Sequence, residues 1–212
     1  MALTSGWYAK GLQHALEGLV DLDQASNLKT ALVVNSYPLD PDTDEFFDTQ
    51  VDADEVAAGG GYTDGGEDVT GAAVTVVNDA AADAWAATTA YEIGDLVRPL
   101  AGANGYVYRC VIAGTSNGSA PTWSLIIGED TTDSGVSWDN IGTSFVKFDI
   151  DDPGWGPAST ITARFMVVYV DGTPGSSDYL VAYLDFGQDE SSTSGDFDII
   201  VPTDGLAQVG IS

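Results

Sequence analysis

Residues 159–172, "STITARFMVVYVDG", constrain the fold more than any other stretch of the chain. Ile161, Ala163, Phe165, Val167 and Tyr169 fall at alternate positions, the two-residue period of a strand with one buried face. An Asp-Gly pair closes the run as a turn. Similar runs recur at "FVKFDIDD" (145–152), "DYLVAYLDFG" (178–187) and "GDFDIIVPTDG" (195–205), separated by Asp-Gly, Pro-Gly or Ser-rich turns. Earlier, "KTALVVNSY" (29–37) and residues 72–78 carry the same Val-rich character. Short strands at this spacing predict a mainly β protein, a β-sandwich or jelly-roll-like barrel, and not a βαβ sheet. One segment breaks the pattern. In "YAKGLQHALEGLV" (8–20), Tyr8, Leu12, Leu16, Leu19 and Val20 recur at helical spacing and predict a short N-terminal amphipathic helix packed on something larger.

The 212-residue chain is 44% hydrophobic and 10% aromatic, enough apolar material for a packed core. Its 33 Asp and Glu against 6 Lys and Arg give a formal charge of −27. Such a surface repels phosphate backbones and anionic lipids, so neither nucleic acid nor a membrane surface is an expected partner. The acids run through the whole chain and Lys is scarce throughout, a distribution that fits life in concentrated salt, where counterions screen self-repulsion. The first residues lack the cationic start and apolar run of a signal peptide, and no apolar stretch is long enough for a membrane-spanning helix. Synthesis in a cytoplasm is the expectation.

Candidate chemistry is sparse. Cys110 is the only cysteine, so no intrachain disulfide forms, and its strand-like surroundings predict a buried, inert thiol. His14 is the only histidine and reads as a helix-surface residue, leaving no second His for a zinc triad or a nucleophile relay. Carboxylate pairs carry no weight in a chain with this many acids. Asp40, Asp42, Asp44 and Asp48 are spaced like the start of a calcium loop, but Glu45 stands where the loop needs Gly and Val51 where it needs Glu. They remain a weak cation candidate; no cofactor and no enzymatic activity are expected.

Residues 84–144 differ from their flanks, concentrating Trp85, Tyr91, Tyr106, Tyr108, Trp123 and Trp138 among Gly, Asn, Ser and Pro. The stretches on either side, 72–78 and 145–152, would form a hairpin if this segment were lifted out. It therefore reads as a small β module inserted at a hairpin tip, the discontinuous main domain being 1–83 plus 145–212. So small a module relies on large rings for its core. Trp85, Tyr91 and Tyr108 are assigned to that core; Tyr106, Trp123 and Trp138 are the candidates for stacking on a sugar or filling a neighbouring subunit's groove.

With the insert removed, "MALTSGWYAKGLQHALEGLVDLDQASNLKTALVV", "DEVAAGGGYTDGGEDVTGAAVTV", "VKFDIDDPGWGPASTITARFMVVYVDG" and "YLVAYLDFGQDESSTSGDFDIIVPTDGLAQV" resemble a family of small virion proteins of tailed viruses of bacteria and archaea. That resemblance implies a structural role on the particle surface, as capsid decoration or turrets that stabilise the head, assembled in the host cytoplasm and exposed on the virion. The partner would be the major capsid protein or another virion component, the chain itself a homo-oligomer, trimer or pentamer, with the helix at 8–20 (Leu12, Leu16 and Leu19) or the hydrophobic edge of the C-terminal strands as the contact. The insert resembles type 3 chitin-binding modules through "TAYEIGDLV", "NGYVYRC", "APTW" and "GVSWDNIG", and departs from them at Arg109-Cys110-Val111, where chitin binders carry a Trp pair. This second resemblance implies a module projecting outward and a host glycan as a further ligand, which would make the chain a tail or vertex adhesin.

Overall fold

In the computed structural model, which describes residues 3–23, 27–78, 82–100, 104–172 and 178–211, the chain is mainly β, with sandwich-like sheets and short helices. Strands are numbered in chain order. The alternating run at the C-terminal half becomes β14 (Thr162–Val170), antiparallel to both β15 (Leu180–Ser191) and β2 (Leu28–Val33). With β1 (Thr4–Trp7) and β3 (Glu67–Asp68) at the edges, these give a sheet in the order β1-β15-β14-β2-β3.

β14 is buried on both faces, so its alternation is more than hydrophobic-in, polar-out. On one face Phe165, Val167 and Tyr169 pack with Tyr8, Val33, Phe47 and Leu180. Phe47 stacks flat on Tyr169 at 4.0 Å, which anchors the acidic 40–54 loop through α2 (Phe47–Gln50). On the other face Met166 sits in register with Leu32 and Leu184, all fully buried. A second layer follows on that side. The pair β13 (Gly154–Ser159) and β16 (Gly195–Asp198) contributes Trp155 and Phe197, which meet the rings of Tyr62 and Phe186 respectively.

Helix α1 (Ala9–Leu16) is shorter than the predicted 8–20 because Gly18 adopts φ +75° and ends it. Gly18 N–H donates to the Ala15 carbonyl and Leu19 N–H to that of His14, a Schellman stop. The helix lies against β15 so closely that a Cβ at Gly11 would overlap the Leu180 carbonyl.

The chain divides into two compact units, residues 1–73 with 148–201 and residues 74–147 with 202–212. The second contains a sheet in the order β10-β11-β8-β7-β5, formed by β10 (Asp130–Asp133), β11 (Val136–Asn140), β8 (Tyr108–Ile112), β7 (Leu96–Arg98) and β5 (Asp83–Ala84). A short ladder joins β6 (Ala90–Tyr91) to β9 (Gly114–Thr115). The stretches flanking the aromatic segment become β4 (Ala73–Asn78) and β12 (Ser144–Asp149), hydrogen-bonded neighbours in a three-stranded sheet with β17 (Ala207–Ile211).

Among the described residues no sheet closes into a barrel, which corrects the barrel half of the expected architecture. The β1-β15-β14-β2-β3 sheet ends instead in β3, two exposed acidic residues, and an edge that short and charged does not template further pairing.

Candidate functional site

Helix α1 reverses the expected orientation of its leucines. Its buried residues are Gly11 and His14, while Leu12 is half-buried, Leu16 is 81% exposed and Leu19, just past the helix, is 57% exposed. His14 is therefore not the surface residue that the sequence suggested. Its ring packs on Tyr179 at 4.1 Å, and Nε2 lies 3.0 Å from Glu45 Oε1. The Schellman stop fixes the backbone of Leu19 one turn beyond Leu16, so the two project from a rigid end and not from a frayed one. An acidic chain that holds two leucines in water at a defined helix end presents an apolar contact without an internal use.

The aromatic unit is built around one buried carboxylate. Asp133 accepts from Trp85 Nε1 at 2.7 Å, Trp138 Nε1 at 3.1 Å and the Asn117 amide at 2.9 Å. Both indoles are thereby locked into a core with Tyr91, Val97, Tyr108 and Cys110. Trp85, Tyr91 and Tyr108 occupy the core positions assigned to them. Trp138 does not belong with the exposed candidates: it is 0% exposed, its edge met by Tyr91 at 4.8 Å, so it has no free face for a sugar. Tyr106 and Trp123 are partly buried against the same cluster, Trp123 lying 4.4 Å from Tyr108. Of the three proposed stacking residues, these two keep accessible surface.

Beyond Trp123 the chain shows a feature absent from the sequence reading. Leu125, Ile126 and Ile127 are consecutive and each more than half exposed. Their loop is nevertheless well tied: Ser124 N–H donates to Thr131, Gly128 N–H to the Asn140 carbonyl, and Asn140 Nδ2 to the Ser124 carbonyl. A run of three exposed aliphatics flanked by Gly was visible as a signal but reads equally well as a strand.

Ionisable groups are mostly structural. Arg109 bridges Asp139 at 3.0 Å and Asp204 at 3.1 Å, and burial raises the Asp139 carboxyl above its ordinary range against the pull of that guanidinium. Burial likewise pushes the Cys110 thiol up to about 11, so it is protonated at neutral pH and chemically quiet. In the 40–48 loop, Asp44 turns inward. Its carboxylate accepts from Tyr37 Oη at 2.6 Å, the Asp40 amide at 3.1 Å and Gln50 Nε2 at 3.3 Å, while Asp42 and Asp48 remain exposed. That engagement removes Asp44 from any shared cation site. Among the described residues, no group of three or more His, Cys, Asp or Glu is placed to hold a metal ion, and no helix is long and apolar enough to cross a membrane.

No protein-family model, no curated protein and no solved structure matches the chain.

Proposed function

We propose that this chain is a non-enzymatic virion structural protein of a tailed virus, of the kind that infects salt-loving archaea, and that it decorates or forms turrets on the capsid surface. The observation that carries the reading is the exposed Leu16–Leu19 end of α1 on a chain of charge −27. A surface built to stay apart from other acidic surfaces needs a dedicated apolar point to attach anything. Two leucines buried on docking contribute about 2 kcal/mol each. Repeated over a symmetric lattice, a contact of that size stabilises the assembled shell by mass action, because it is made to the shell and not to free subunits. A homo-oligomer, trimer or pentamer, would match local lattice symmetry.

The test is co-sedimentation of purified chain with shells stripped of it. Wild type is expected to pellet in fixed ratio to the shell protein. Leu16→Glu with Leu19→Glu should reduce binding about a thousandfold while leaving the thermal midpoint within about 2 °C, since neither side chain supports the core. Undiminished binding by that variant would refute the docking assignment.

The accessible surface of Tyr106 and Trp123 favours a second reading, an adhesin that holds host glycan through the aromatic unit. A glycan-array signal that Trp123→Ala removes would select it.

A further inference from the structure

A groove of about 360 Å³ opens in the first unit between the tail of β15 and β16. Its apolar lining includes Leu3, Phe186, Phe197 and Ile200. Phe186 and Phe197 are buried and meet edge to face at 6.5 Å, while Ile200 is 75% exposed at the rim. Glu190, Asp196 and Asp198 line the same groove, and all three are exposed. None of them takes part in the ion pairs of the described residues, which engage other acids.

The strand geometry orders these groups. Asp196 and Asp198 flank the buried Phe197, so the two carboxylates share one face of β16 about 7 Å apart, with the phenyl ring on the other. Opposite them in β13 stand Gly154 and Gly156, where a Cβ would overlap the Asp198 and Asp196 carboxylates, so β13 places no side chain over either acid. Among the described strands β16 is paired along its β13 edge alone. Its other edge offers backbone groups beside an apolar floor and a row of negative charge.

We propose that this groove binds an extended, cationic segment of a partner protein in which Lys or Arg alternates with aliphatic residues. Added to the free edge of β16, such a strand places its cations on the Asp196–Asp198 face and its aliphatics over Phe197 and Phe186, with Ile200 at the rim where the strand leaves the groove. The same alternation excludes a second copy of this chain as the donor. Its six cationic residues, Lys10, Lys29, Arg98, Arg109, Lys147 and Arg164, include no two at alternate positions, and a copy brings −27 against −27. The site is independent of the α1 leucines.

Fluorescence anisotropy of a labelled peptide of alternating valine and lysine, titrated with the full chain, tests the proposal. A serine-lysine peptide of equal charge is the comparison. The valine-lysine peptide is expected to bind about tenfold tighter than the serine-lysine one, and Glu190→Gln/Asp196→Asn/Asp198→Asn to weaken it about tenfold. Asp48→Asn/Asp52→Asn/Asp64→Asn removes the same charge from exposed positions elsewhere and should change binding less than about twofold. Ile200→Ser, which alters no charge, should also weaken it. Absence of binding would overturn the proposal outright, and equal binding of both peptides or equal weakening by the two charge variants would overturn it in favour of diffuse attraction. Self-association of the chain abolished by Ile200→Asp would overturn it in favour of a second copy.

Discussion

Asp133 carries more of the aromatic unit than any ring in it. Removing the carboxylate leaves two buried indole N–H groups without an acceptor and takes the Asn117 amide's partner as well. Asp133→Ala should cost about 3 kcal/mol, read as a lower urea midpoint, whereas Asp133→Asn keeps one acceptor and should cost visibly less. Equal, small effects of both would show that the indoles find other partners. This pin was not legible in sequence, because one Asp among so many acids carries no mark. It also explains the misplacement of Trp138. In β11 the polar Ser137 and Asn140 are buried along with Val136 and Trp138, so burial there does not follow the apolar–polar alternation of the sequence. The other rings, Trp85, Tyr91 and Tyr108, were legible because a small β unit has few other means of filling a core.

At the scale of elements, α1 inverts the usual logic of an amphipathic helix. Its leucine stripe gave the helix away, but Gly11 and His14 form the packed side, since only a residue without Cβ permits that approach to β15. Gly11→Ala is therefore expected to destabilise the protein. Helix propensity alone would favour Ala by about 1 kcal/mol, and the overlap with the Leu180 carbonyl outweighs it. A higher thermal midpoint for Gly11→Ala would contradict the packing described here. Strands with long Val- and Phe-rich runs, β2, β14 and β15, were readable from period and turns. β1, β13 and β17 were not: each contains Gly, and β13 also Pro157, so their pairing is decided by the neighbours they meet and not by their own pattern.

For the whole molecule, charge sets the conditions of stability. Glu55, Asp139 and Asp178 all have carboxyls raised by burial. Each therefore binds its proton more readily folded than unfolded, so stability rises as pH falls through the window between the ordinary and the raised values. Relief of repulsion among the remaining acids acts in the same direction. Added salt should do likewise by screening. A thermal midpoint that rises as the pH is lowered from neutral toward the ordinary carboxylate range in low salt, with the difference shrinking in concentrated salt, is the expected pattern. A midpoint that does not respond to salt would remove the brine adaptation from the account.

That acidity and the exposed leucines at the end of α1 together motivate a role on an assembled particle, and particle stoichiometry tests this role most directly. Quantitative mass spectrometry of purified virions, normalised to the major shell protein, should find this chain in the hundreds of copies and in simple ratio to the lattice. A few copies to a few dozen would move it to a tail or vertex, and its absence from purified particles would contradict the account.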